Sequence, residues 1–108
     1  GAAGLPEADV LDILNKMVRQ REESVRDYEE AGQLELAEQE REEMAIIAEF
    51  LPRQFDDTAM KTACEDVVRD ISANGLRDMG RCMNALKQRY PGQMDFAKAN
   101  GIAKNMLQ

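Results

Sequence analysis

Two serines, Ser24 and Ser72, and two cysteines, Cys64 and Cys82, carry nucleophiles of the kind enzymes use. None has a histidine to activate it, because the 108 residues contain no histidine at all. That removes the commonest general base, the commonest metal ligand and every Ser-His or Cys-His pair. The serines also lack a nearby lysine or a glycine-rich elbow, and no glycine-rich phosphate loop is present. Carboxylates are plentiful at Glu35, Glu38, Glu40, Glu42 and Glu43. Helical carboxylate metal sites pair Glu with a nearby His, however, so a solvated, ion-paired surface explains the run better. No catalytic residue, metal ligand or cofactor is assigned, and the chain is not expected to be catalytic by itself.

What remains is charge. The net charge is −7, which opposes attraction to a polyanion, but its distribution is uneven. Residues 1–55 carry six Lys/Arg against fourteen Asp/Glu, and residues 56–108 carry eight against seven. The last stretch, 74–108, holds Arg77, Arg81, Lys87, Arg89, Lys98 and Lys104 against only Asp78 and Asp95. Gly80 stands among these cations, one turn into a segment that otherwise asks for a helix, and glycine there costs roughly 1 kcal/mol relative to alanine. On a helical wheel it lies between the apolar stripe and the polar side, beside Lys87. Either a neighbouring helix crosses tightly at Gly80, or a ligand's sugar-phosphate backbone passes over a surface it keeps flat. Spacing alone favours packing.

The elements that must position these residues are helices, because no segment alternates with the period of two that a half-buried strand needs. Val10, Leu14, Met17, Val18, Val25 and Tyr28 mark a first helix from about Glu7, stopped by Ala31-Gly32. Leu36, Ala37, Met44, Ile47, Ala48 and Leu51 mark a second, from about Leu34 to the Leu51-Pro52 step. The short connection makes them an antiparallel hairpin, in which Arg21 and Glu40 face each other. Asp56 caps a third helix over about 57–73, with Met60, Ala63, Cys64, Val67, Val68 and Ile71 on one side. Asn74-Gly75 breaks it. Leu76, Met79, Met83, Leu86 and Tyr90 mark a fourth, in which Asp78 is placed to accept from first-turn N–H groups. Asp95 starts a fifth, weakened at Asn100-Gly101. The expected fold is all-α: a long antiparallel helical hairpin over 7–55, then a small three-helix bundle over 56–108, with 1–6 a disordered or vector-derived N-terminus.

Both cysteines fall in apolar stripes without a Cys-x-x-Cys spacing, so they read as reduced core thiols and the expected location is the cytoplasm. The seven methionines sit mostly at core spacing and fill gaps between helices. No stretch approaches the roughly 20 apolar residues of a membrane span, so a membrane is not an expected partner; DNA is not expected either.

Four segments in order, AGQLELAEQE (31–40), EFLPRQF (49–55), LRDMGRCMNAL (76–86) and the final helix, resemble the YqeY-like family. The most specific pieces are the junction Leu51-Pro52-Arg53-Gln54-Phe55 and the run Arg77-Asp78-Met79-Gly80-Arg81-Cys82-Met83. The resemblance covers about residue 7 to the end, and it implies further helical residues before position 1 and hence an N-terminally shortened chain. It also implies a hairpin joined to a small bundle, similar to the tail domain of the B subunit of the tRNA-dependent amidotransferases. That tail grips the body of the tRNA, whereas glutamine hydrolysis and amide transfer, the carbon–nitrogen ligase chemistry, occur elsewhere. The implied role is an accessory module binding tRNA or other structured RNA. Arg77, Gly80 and Arg81 match the motif helix directly, and Lys87, Arg89, Lys98 and Lys104 are nominated by charge. The alternative is a protein-interaction module that docks on an amidotransferase or an aminoacyl-tRNA synthetase without touching RNA.

Overall fold

The computed structural model describes residues 7–108, so the expectation for residues 1–6 lies outside the described residues. Among these, the regular structure is five α-helices and one 3₁₀ turn, with no strand. The chain divides into two compact units, the first ending at Pro52 and the second running Arg53–Gln108.

In the first unit α1 (Glu7–Glu30) packs on α2 (Leu34–Ala48). The link is tight because Gly32 adopts φ +73°, which lets the Gln33 and Gly32 N–H groups donate to the Tyr28 and Glu29 carbonyls at 2.8 and 3.0 Å. This paired closure satisfies carbonyls that the end of α1 would otherwise leave open. Val25, Ala37 and Ile47 are buried between the helices, together with Asn15, whose amide donates to the Leu11 carbonyl at 3.4 Å. Arg41 reaches Glu29 at 2.8 Å, while Arg21 reaches Glu43 at 3.0 Å. The partner of Arg21 is thus Glu43 rather than the expected Glu40, almost one turn further along α2. α2 itself stops at Ala48 and not at Leu51. Glu49, Phe50 and Leu51 donate to carbonyls three residues back, the tightened final turn of a chain whose next residue is Pro52.

In the second unit α3 (Asp57–Asp70), α4 (Met79–Arg89) and α5 (Phe96–Leu107) pack pairwise. Leu86, Met94, Val67, Cys64 and Cys82 are its largest fully buried side chains. α3 and α5 start where a short side chain takes up a free N–H group: Asp56 accepts from Ala59 N at 2.7 Å and Asp95 from Ala97 N at 2.9 Å. α3 ends earlier than expected because Ser72 takes a left-handed φ of +53°. The Ser72 and Ala73 N–H groups then close onto the Arg69 and Val68 carbonyls. The junction motif is a clasp within this unit. The Gln54 amide donates to the Gly92 carbonyl at 2.7 Å, Phe55 N–H donates to the Gln93 carbonyl at 2.8 Å, and the Phe55 ring tilts against Tyr90 at 5.0 Å between centroids.

Candidate nucleic-acid interface

The Arg77–Met83 run begins not as one helix but as a 3₁₀ turn, Leu76–Asp78, that feeds into α4. Gly75 precedes it at φ +87° and ψ 171°, a backbone region open essentially to glycine alone. Asp78 does not accept from the first-turn N–H groups of α4. Its Oδ2 reaches back instead to Asn74 N–H at 2.7 Å, while Oδ1 takes Arg81 at 3.1 Å. The second guanidinium nitrogen of Arg81 donates to the Ile71 carbonyl at 2.8 Å, a C-terminal carbonyl of the preceding helix. The Asn74 N–H bond first, and then Arg81, hold the Asp78 carboxyl below its ordinary value of 3.8.

Gly80 is the second residue of α4, is exposed, and a Cβ built on it would meet nothing within 4 Å. Among the described residues, the tight helix crossing that the spacing favoured does not occur. Gly101, within α5, is open in the same way.

The seven nominated residues do not share one face. Arg81 and Arg89 turn toward α3, where Arg89 meets Asp70 at 2.9 Å and a hydrogen bond from Arg89 is the main cause holding the Asp70 carboxyl below its usual range. Gly80 and Lys87 are seven residues apart and therefore on one side of α4, and Lys87 turns toward α5. Lys87 Nζ stands 5.9 Å from the centre of the Phe96 ring, at the outer limit of cation–π contact. Here Met83, Lys87, Phe96, Ala97 and Asn100 line an open cleft of about 420 Å³. Lys98 and Lys104 lie on the far side of α5, where they join Lys61 of α3 along a larger open groove of about 860 Å³. Arg77, on the 3₁₀ turn, is exposed. Lys61 is the residue the sequence reading missed. It precedes the basic stretch, and only the packing of α3 beside α5 brings it to Lys98 and Lys104.

The thiols are not nucleophiles. Both cysteines are free and buried, and Cys64 Sγ lies 3.8 Å from the Ala99 carbonyl. Burial first, then Cys82 and Glu65, pushes the Cys64 thiol up to about 11. Cys82 is raised too, chiefly by burial. Both are therefore thiols and not thiolates at neutral pH. Among the described residues no three His, Cys, Asp or Glu side chains gather as a metal site, and no helix is long and apolar enough to cross a membrane.

Fold and site together define a small all-α protein of two helical units whose recognisable motifs are spent on a turn, a clasp and an exposed glycine. It belongs to the YqeY-like family, whose model, described as Yqey-like protein, matches residues 1–107. Comparison with curated proteins gives no match.

Proposed function

We propose that the protein is a non-catalytic RNA-binding accessory module, a helical hairpin carrying a three-helix bundle, and that the bundle holds the backbone of tRNA or another structured RNA. The observation that carries this reading is Gly80: an exposed helical glycine with nothing packed against it, one face away from Arg81 and on the same side as Lys87. A glycine that no neighbour requires leaves room for a backbone that approaches from outside. Arg77 and Lys87 supply the principal phosphate contacts, with Lys98 and Lys104 on the adjoining face. Arg81 and Arg89, already engaged by Asp78 and Asp70, add less. Recognition is of shape and phosphate rather than base sequence, since Phe55, Tyr90 and Phe96 are half-buried in the bundle.

The test is a titration of tRNA with the full chain at several salt concentrations. Each phosphate contact contributes about 0.7–0.9 to the slope of log K against log salt. Arg77→Glu with Lys87→Glu should weaken binding and lower that slope by roughly 1–2. An affinity unmoved by the double reversal would defeat the assignment. The alternative reading, docking on an amidotransferase or a synthetase without RNA, is favoured by Leu34, Ile46 and Phe50, exposed at 67, 59 and 70%. Nuclease-insensitive recovery of a stoichiometric protein would support it.

A further inference from the structure

The groove of about 860 Å³ between α3 and α5 is cationic at its rim and apolar at its floor. Lys61, Lys98 and Lys104 stand around Met60, Ile102 and Met106, with Asp57 the only acidic residue lining it. Its α5 wall contains Gly101, where an added Cβ would meet nothing within 4 Å. Such a surface fits an acidic helix with one or two protruding apolar side chains, because the floor takes the apolar groups and the ammonium rim takes the carboxylates.

The same chain displays that partner. The face of α2 turned away from α1 bears Glu42, Ala45, Ile46 and Glu49, followed by Phe50, all exposed. Ile46 lies four residues from Glu42 and three from Glu49, so the apolar side chain is bracketed by carboxylates on one surface. The only basic residue of α2, Arg41, is occupied by Glu29 and Glu38. Nothing cationic on α2 therefore answers Glu42 or Glu49.

We propose that the Lys61–Lys98–Lys104 groove of one copy receives the Glu42–Phe50 face of a second copy, so that the protein associates with itself through unlike surfaces. The contact joins unlike surfaces: used reciprocally it closes a two-fold dimer with two equal contacts, and used one way it extends a chain. The attraction across the rim is between exposed charges and is screened by salt.

The experiment is sedimentation equilibrium of the full chain over micromolar to millimolar concentrations, at low and high salt. The expected result is a mass that rises with concentration at low salt and returns to the monomer at high salt. Two variants change only exposed residues: Lys61→Glu with Lys104→Glu, and Glu42→Lys with Glu49→Lys. Helical circular dichroism checks that both remain folded. Each alone should weaken self-association at least about tenfold, and a one-to-one mixture of the two should restore a heterodimer through the reversed charges. A monomer at every concentration, or association that neither reversal changes, would overturn the proposal. So would two weakened variants that fail to rescue each other.

Discussion

Replacing Gly80 with alanine separates the demands of the fold from those of a ligand. The residue is helical, exposed and clear of neighbours, so the added methyl group meets no atom within 4 Å. The folded state accepts it without strain, and the unfolded chain loses conformational freedom, so stability should rise by about 0.5–1 kcal/mol. The position is in the first turn of α4, where part of the interior propensity is realised, and this keeps the gain at or below that range. For a unit of this size that corresponds to a rise in melting temperature of roughly 2–8 °C. Thermal unfolding followed by helical circular dichroism measures it. In the same variant tRNA affinity should fall several-fold, because a phosphate backbone seated on a bare Cα would have to lift off. The signs are therefore opposed: more stable, weaker binder. A variant less stable than wild type would show that the space at Gly80 is filled. A more stable variant with unchanged affinity would remove Gly80 from the interface.

Ser72→Gly should stabilise the second unit by about 0.5–1 kcal/mol, since it relieves a non-glycine residue from left-handed geometry; an unchanged urea midpoint would contradict this. Leu86→Ala, at a fully buried position, should cost about 2–5 kcal/mol, read as a lower urea midpoint. Asp70 and Asp78 have folded values below 3.8, so their stabilisation is present above that pH and is lost as the pH falls through those lower values. Asp78→Asn should therefore flatten the acid limb of stability against pH, and an equally steep limb in the variant would refute the role of that carboxylate.

The helical elements and most of the second unit's core could be read from the sequence because spacing in an amphipathic helix reports burial directly. Met60, Ala63, Cys64 and Val67 form such a stripe, and all four are buried. Caps were legible for the same local reason: Asp56 and Asp95 act within three residues of themselves. What spacing could not reveal was a backbone choice or a neighbour. Ser72 ends α3 by adopting a positive φ, which serine rarely does, so the break seemed to wait for Asn74-Gly75. Asn15, a polar residue outside the apolar spacing of the first helix, is buried with an internal partner. Among the nominated cations, linear proximity concealed that helix packing sends Arg81 and Arg89 to one side and Lys98 and Lys104 to another. The reading of Gly80 as a packing contact failed because a wheel shows which way a residue points but not whether anything waits there.

The two protected thiols give the molecule a reporter of its own. Cysteine occurs only at 64 and 82, both sealed inside the second unit and reluctant to ionise, so an alkylating reagent can modify them only during excursions that open that unit. Tyr28 and Tyr90, in contrast, place one fluorophore in each unit, and no tryptophan obscures them. Labelling rate and tyrosine emission, recorded on one sample, would show whether the acidic and basic halves of this chain melt together or apart.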